Sequence, residues 1–194
     1  MLSRLILTLV VLCIAIGGGA ASAWYVLDIR HGLGALVVGP WIAFPDMGTA
    51  HADPYARART ARQGLLVAGA AEGLAFVAGN DQDGEALRRE CRYTLAGPSP
   101  AARFWTLYAT DDDGRPLDPP GSAVKALRSQ DALRRADGSI VVTVGRGAAP
   151  GNWLRIGGSG GMRLVLTLYD TPATSSASDV DLALPGIRRE RCDA

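Results

Sequence analysis

The chain has 194 residues, which is enough for one folded domain with an appendage but not for two full domains. Hydrophobic residues make up 48% of it and charged residues 20%, a composition that excludes a disordered or collagen-like protein. The formal net charge of +1 lacks the basic excess of a nucleic-acid-binding protein, and two histidines with three cysteines supply few soft metal ligands. We therefore expect no nucleic-acid partner, no metal and no cofactor.

The first element in chain order is an apolar segment from Leu5 to Leu27 that contains no charged residue. As a helix it would be roughly 34 Å long, which is enough to cross a hydrocarbon core of about 30 Å. Trp24 and Tyr25 close the segment and are typical of the aromatic belt at a membrane interface. The pattern predicts a single transmembrane helix.

A cleaved signal peptide is the alternative, with Leu5 to Ile16 as its apolar region and Ala21-Ser22-Ala23 as its cleavage site. We favour a retained anchor because hydrophobicity resumes over residues 24–27 and completes a span. In both cases the rest of the chain crosses the membrane. We predict an anchor in residues 1–30 and a folded domain over residues 31–194 on the far side of the membrane.

Cysteine usage is consistent with export of the folded domain. Cys13 lies inside the apolar segment, where a thiol is a small hydrophobic group. Cys91 and Cys192 remain as an even pair in the exported part, and their disulfide would close a loop of about 100 residues. Two unrelated buried thiols are the alternative.

A short helix is predicted after the anchor. Asp53 can cap its free N–H groups, and Pro54 suits the first helical position because its missing donor is not needed there. Tyr55 to Gln63 continues the helix, and Gly64 is placed to end it.

The remaining elements are predicted to be strands. The clearest alternation runs from Met162 to Tyr169, with Met162 and every second residue after it facing a core. Phe104 and Trp105 are adjacent on another strand, and we expect both to be buried between sheets. The candidate strands are Gly73–Ala78, Glu90–Leu95, Arg103–Tyr108, Ser139–Val144, in which Ile140, Val142 and Val144 share one face, and Met162–Tyr169.

Several glycine-containing or charged motifs are interpreted as connections. Gly157–Gly161 lacks the lysine and the following helix of a phosphate-binding loop, so we predict a flexible hairpin connection. Arg188, Arg189 and Arg191 are interspersed with Glu190 and Asp193 and are predicted to form a solvated tail and not a binding patch. The Asp-Gly pairs at 83–84, 113–114 and 137–138 are typical turns between strands.

The acidic segment from Gly79 to Glu90 can be compared with a calcium-binding EF-hand loop. Asp81, Asp83 and Glu90 fall at ligand positions, but glycine stands at the first of them and no helix precedes the loop. We therefore predict a turn rather than a calcium site.

Four stretches taken in order resemble the bacterial family called domain of unknown function 1214, in particular its short, membrane-anchored members. The resemblance covers about Trp41 to Cys192. The sequence departs from the commoner family pattern at Phe104-Trp105-Thr106, and it has Arg155 where a proline often follows Asn-Trp-Leu. The stretches are Asp53–Ala58, the Asp83-Gly84 and Cys91-Arg92-Tyr93 segment, Arg103–Tyr108, and Gly151–Leu154 followed by Arg163–Asp170.

The resemblance implies a mostly antiparallel β-sandwich on the periplasmic side and brings no established reaction, hence no catalytic residues. The predicted fold is therefore mainly β, an antiparallel β-sandwich with a short helix, preceded by one N-terminal transmembrane helix.

We expect a ligand-binding or envelope-support role rather than catalysis. The candidate ligand or partner surface comprises Asp53, Tyr55 and Arg57 at the start of the short helix together with Asn152 and Trp153. The expected partners are the lipid bilayer, through residues 5–27, and a small ligand or an envelope protein.

The alternative is a carboxylate-dependent periplasmic hydrolase or carbohydrate-active enzyme that uses Glu72, Asp81 or Asp83. This alternative requires two of these carboxylates to converge in one cleft at roughly 5 to 9.5 Å.

Overall fold

A computed structural model describes residues 2–28, 35–47, 49, 52, 54, 57–58, 61, 73–118, 121, 125–171 and 182–192. Within these residues, one long helix is followed by ten strands. The helix α1 spans Leu2–Asp28, and the strands are β1 Leu36–Val38, β2 Trp41–Ala43, β3 Leu74–Ala78, β4 Cys91–Pro98, β5 Phe104–Thr110, β6 Ala126–Arg128, β7 Ser139–Gly145, β8 Asn152–Arg155, β9 Arg163–Tyr169 and β10 Gly186–Cys192.

The helix α1 contains the apolar segment, and none of its described residues belongs to the hydrophobic core of the domain. Its stretch from Ser3 to Tyr25 is long and apolar enough to cross a membrane, and none of it is buried in the protein. Trp24 and Tyr25 are 63% and 68% exposed. An unburied helix of this composition suits a membrane anchor and a signal sequence equally.

The strands form two sheets that share one hydrophobic core. The larger sheet has the order β1-β2-β3-β9-β5-β6 and the smaller one β10-β4-β7-β8. All pairs in the larger sheet are antiparallel, whereas β7 and β8 of the smaller sheet run parallel. The predicted β-sandwich is confirmed, and one parallel pair makes the smaller sheet mixed instead of purely antiparallel.

The core forms where the inward faces of the two sheets meet, and period-two alternation decides which side chains reach it. On β9 the predicted inward face is confirmed, and Val165 on the other face is also largely buried. The predicted inward face of β7 is confirmed as well. Fully buried side chains of the larger sheet include Trp41, Phe76, Trp105, Leu164 and Leu166, and those of the smaller sheet include Tyr93, Leu95, Val142, Val144 and Ile187.

The expectation that Phe104 and Trp105 are both buried between sheets is wrong for Phe104. Trp105 is 1% exposed, while Phe104 lies on the opposite face of β5 and packs on the ring of Tyr169, with ring centroids 5.7 Å apart. Adjacent strand residues point to opposite faces, and the face that Phe104 occupies is only partly covered.

The predicted tail is wrong in its conformation, because residues 186–192 form the edge strand β10, whereas Arg188 and Arg191 are exposed to solvent as predicted. The backbone pairs with β4 from Gly186 to Cys192, with an irregularity between Arg189 and Arg191. The Arg189 guanidinium lies 3.2 Å from the buried Asp81 carboxylate and donates to the carbonyl oxygen of Ala86. The sequence pattern did not indicate this strand, because most of its residues are charged or exposed and only Ile187 is fully buried.

The pairing of β10 with β4 brings the two exported cysteines opposite each other. Cys91 and Cys192 are register partners and form a disulfide across 101 residues of sequence. The described chain thus ends on a strand that is covalently fixed to the centre of the smaller sheet. Cys13 is the free cysteine of the described residues and is exposed on α1.

The three predicted Asp-Gly turns are present. Their glycines have φ of 85°, 84° and 79°, values that favour glycine because a Cβ would be strained there. The loop at 157–161 is also a connection, but it joins β8 of the smaller sheet to β9 of the larger one and so is not a hairpin.

Candidate functional site

Asn152 is one of the predicted surface residues, and the structure places it inside. It is 7% exposed and begins β8. Its amide nitrogen donates to the carbonyl oxygens of Leu133 and Val141 at 2.8 and 3.0 Å, and its Oδ1 accepts from the N–H of Leu133 at 2.7 Å. Because its hydrogen-bonding groups are satisfied within the protein, Asn152 fixes the β6–β7 connection to the sheet.

Trp153 lies on the opposite, outward face of β8 and is half-buried. Its indole N–H donates to the carbonyl oxygen of Gly145 at 3.1 Å. Two residues on, Arg155 shares this face, and its guanidinium lies over the Trp153 ring at 5.9 Å from the centroid. The ring is therefore anchored at its edge and covered by a cation.

A second arginine, Arg92 of β4, lies beside Trp153 and Arg155. The strand between them, β7, ends in Gly145, which has no side chain to separate them. Gly145 is the register partner of Arg155. On its other side, the Arg92 Cγ lies 3.5 Å from the position that a Cβ on Gly145 would occupy, and Arg92 Nη2 donates to the carbonyl oxygen of Gly147. A side chain at position 145 would occupy the space in which the Arg92 side chain lies.

An open depression of about 400 Å³ adjoins these residues. Arg146 forms one wall and donates through Nη2 to the carbonyl oxygen of Gly158, and Arg155 forms another wall. The depression is lined by Arg146, Arg155, Ile156, Gly157, Gly158 and Ser159. We call Arg92, Arg146, Trp153 and Arg155, with the loop 157–159, the arginine surface.

The glycine loop beneath the arginine surface is held by the segment before β4. The N–H of Gly160 donates to Glu90 Oε1 at 2.8 Å, and Arg89 Nε donates to the carbonyl oxygen of Gly161 at 3.0 Å. The hydrogen bond from Gly160 is the main cause that holds the pKa of the Glu90 carboxyl below its ordinary value. Arg88 Nε lies 3.5 Å from the other oxygen of Glu90 and acts in the same direction.

The arginine surface has a surplus of positive charge. Among the described carboxylates, none lies within 4 Å of the guanidinium nitrogens of Arg89, Arg92, Arg146 or Arg155. Three acidic groups lie around it: Glu90, which is paired with Arg88, Asp112, and Glu190, which accepts a hydrogen bond from Thr94 on the same face of β4 as Arg92. The Asp112 carboxylate packs against Gly161, where a Cβ would meet it.

The described part of the chain does not show whether the other predicted surface residues, Asp53, Tyr55 and Arg57, lie near Trp153. Asp53 and Tyr55 lie outside the described residues, so their roles stay predictions. Pro54 and Arg57 are described, and both are helical and exposed. The predicted short helix is thus seen only in part.

The carboxylates of the enzymatic alternative do not form a described acid–base pair. Asp81 is 3% exposed; its Oδ1 accepts the N–H groups of Asp83 and Glu85, and its Oδ2 pairs with Arg189. Asp83 is exposed on the same turn, and Glu72 lies outside the described residues. The described residues contain no cluster of three potential metal-ligating side chains. Asp81 therefore has the partners of a turn-forming residue, as the interpretation of this segment as a turn predicts.

Sequence reasoning reached Trp153 but missed Arg92, Arg146 and Arg155 as members of one surface. These arginines are 63 residues apart at most, and strand pairing alone brings them together. The one available signal was Arg155 itself, which stands where the family pattern often has proline.

Comparison with known proteins supports a family assignment without a reaction. A family described as a protein of unknown function (DUF1214) matches residues 72–173, more than half of the chain, and this range includes the whole arginine surface. No curated protein matches the sequence.

Solved structures resemble the fold. The VPA0106 protein from Vibrio parahaemolyticus is similar with a TM-score of 0.58 and 16% identity, over 73% of this chain and 36% of that chain. An uncharacterised protein from Burkholderia cenocepacia has a TM-score of 0.45 and 16% identity, over 63% of this chain and 31% of that chain. The chain spans about a third of the length of these two proteins, and at this identity the likeness concerns the fold alone.

Proposed function

Because the chain belongs to the DUF1214 family, whose function is unknown, we propose its role from its own residues. It is a bacterial inner-membrane protein that crosses the bilayer once through α1 and holds its β-sandwich in the periplasm. There it binds a small ligand or an envelope protein through the arginine surface. The observation that carries the binding role is the half-buried Trp153 capped by Arg155 beside an open depression.

Two features support the location. The segment from Leu5 to Leu27 carries no charge, and the described part of the domain leaves Ser3 to Tyr25 unburied. Such a helix needs an apolar environment, since exposing it to water forfeits its hydrophobic transfer free energy. The folded domain contains a disulfide, which persists in oxidising compartments such as the periplasm and is rare in the cytosol.

The binding role is favoured over catalysis by the state of the described carboxylates. A general acid or base must exchange protons with a substrate, whereas both oxygens of Asp81 are already engaged by backbone N–H groups and by Arg189. The arginine surface offers charge, a flat ring and hydrogen-bond donors, which are means of recognition.

A mass spectrum of the protein extracted from membranes without reductant tests this proposal. We expect a chain that retains residues 1–23, that is lighter by two hydrogens than the reduced sequence, and that carries a discrete adduct under native conditions. A chain beginning at Trp24 would overturn the anchor, and fully reduced Cys91 and Cys192 would argue against the periplasm.

Variants test where the adduct binds. We expect Trp153→Ala to lose the adduct and Trp24→Ala, in α1, to retain it. Loss of the adduct in Asp53→Ala with Arg57→Ala, but not in Trp153→Ala, would move the binding surface to the short helix.

A further inference from the structure

We propose that the depression of the arginine surface binds a phosphate-type oxyanion, carried by a lipid headgroup or by a soluble compound. This inference rests on the proposed binding role and specifies the ligand class. It assigns a binding role to the loop 157–161, which we interpreted from the sequence as a connection.

The first argument is charge that has no internal partner. Arg146 and Arg155 wall the depression, and no described carboxylate neutralises either of them. Guanidinium groups offer several N–H donors in a planar fork and pair with oxyanions through short charge-assisted hydrogen bonds. Each of the two uses only part of this capacity inside the protein, Arg146 on the carbonyl oxygen of Gly158 and Arg155 on the Trp153 ring.

The second argument is that each guanidinium already has a contact within the protein. Arg146 donates to the carbonyl oxygen of Gly158, and Arg155 lies over the Trp153 ring, which donates to the carbonyl oxygen of Gly145. Such contacts reduce the conformational entropy that the two side chains lose when a ligand binds.

The third argument is the shape of the loop between them. Gly158 and Gly160 have φ of 81° and 97°, so the backbone turns at positions where an L side chain would be strained. The Arg89 guanidinium also lies close by, 3.3 Å from where a Cβ on Gly158 would be.

The size of the depression suits a phosphate attached to a larger group. Its volume of about 400 Å³ lies within the range of small-molecule sites, which is about 300–1,000 Å³, and exceeds what a free phosphate needs. The exposed Ser159 at its rim can hydrogen-bond to an oxyanion.

Titration of the purified full-length chain in neutral detergent with inorganic phosphate, at constant ionic strength in chloride, tests the proposal. We expect saturable binding that Arg146→Gln with Arg155→Gln weakens by about tenfold or more, because charge-assisted hydrogen bonds are lost. The matched control is Arg134→Gln with Arg135→Gln. It removes the same two charges from an exposed turn at the Ser139 end of β7, whereas Arg146 follows the Gly145 end.

A second arm identifies the source of the phosphate. Vesicles of phosphatidylcholine containing phosphatidylglycerol should displace inorganic phosphate if the ligand is a headgroup, and pure phosphatidylcholine vesicles should not. No displacement by either would indicate a soluble phosphate compound, and both results support the shared chemistry.

Equal phosphate binding by all three proteins, or no saturable binding by any, would overturn the proposal. Saturable binding of glucuronate without binding of phosphate would also overturn it, in favour of a carboxylate ligand. These results concern the purified protein. They are therefore independent of the mass spectrum that tests the anchor and the disulfide, so the two proposals can fail separately.

Discussion

At the scale of single residues, neighbours in one strand have opposite roles. Asn152 and Trp153 are adjacent, yet one is buried with satisfied hydrogen bonds and the other lies on the outer face. The reason is the two-residue period of a strand, which separates consecutive side chains by the thickness of the sheet. Of the two, only Trp153 is available to a ligand.

Asn152→Ala should therefore reduce stability and leave ligand binding intact in the protein that remains folded. The change removes the side-chain partners of the N–H and carbonyl oxygen of Leu133 and one donor to the carbonyl oxygen of Val141. We expect a loss of about 1–3 kcal/mol in the free energy of unfolding, measured by chemical denaturation. Ser159→Ala, an exposed control, should stay within about 0.5 kcal/mol. Equal stability of the two variants would contradict a structural role for Asn152.

Glu90 is a second residue whose environment matters, in this case for how the stability of the protein depends on pH. Its pKa is lowered mainly by the Gly160 N–H, so the folded protein prefers the carboxylate more than the unfolded chain does. This contribution to stability is present above the pKa of an unfolded glutamate and is lost as pH falls through the lower pKa of the folded state.

Glu90→Gln should accordingly lower the melting temperature at neutral pH, and the difference from the wild type should shrink on acidification. Melting curves recorded from neutral pH downward through the carboxylate range measure this difference. Glu85→Gln provides a matched control, because Glu85 is exposed and has no described ion pair. A gap for Glu90→Gln that is independent of pH would show that its carboxylate charge is not involved.

At the scale of elements, the edge strand β10 depends on long-range contacts. Its sequence is mostly charged, and it is held by pairing with β4, by the ion pair of Arg189 with Asp81 and by the disulfide to Cys91. The Arg189 guanidinium also lies 5.7 Å from the centroid of the Tyr93 ring. An edge strand with so little apolar burial needs such additional contacts to stay paired.

Cys91→Ser with Cys192→Ser should destabilise the domain by about 4 to 5 kcal/mol, the chain-entropy value for a loop of this length. Denaturant unfolding without reductant measures the loss. Cys13→Ser is the internal control, since Cys13 lies on α1 and forms no disulfide. Unchanged unfolding of the double variant would mean that pairing and the Arg189 contacts hold β10 without the covalent link.

At the scale of the whole molecule, the chain combines two parts stabilised by different surroundings. The sandwich buries its apolar side chains against one another, whereas the described side chains of α1 find no partners in the domain. Leu7, Ile14 and Ile16 are 65%, 68% and 69% exposed. A bilayer can supply the environment that the protein itself does not.

Ile14→Arg should weaken membrane association, because a charge near the helix centre costs about 2.5–3.5 kcal/mol on insertion scales. The fraction of protein that stays in the membrane pellet after alkaline carbonate extraction measures the effect. Ser3→Arg adds the same charge at the helix end, next to Arg4, and should leave the pellet fraction unchanged. Equal extraction of both variants would contradict a membrane-spanning role for α1.

The features that the sequence predicted correctly depend on residues close together in the chain. The apolar helix, the Asp-Gly turns and the alternation in β7 and β9 follow from composition, turn chemistry and side-chain period, each set by residues close together in the chain. The strands β1, β2, β6, β8 and β10 were missed because they are short or charged, so that their strand conformation depends on pairing with distant partners.

Only the tertiary structure decided which residues form the candidate site. Arg92, Gly145 and Arg155 become neighbours through the register of β4, β7 and β8, and the parallel pairing of β7 with β8 places Trp153 beside Gly145. A one-residue change of register would turn these side chains to the other face, although the sequence would be the same. The position of a site built across strands is therefore a property of the pairing, which residue types and spacing do not contain.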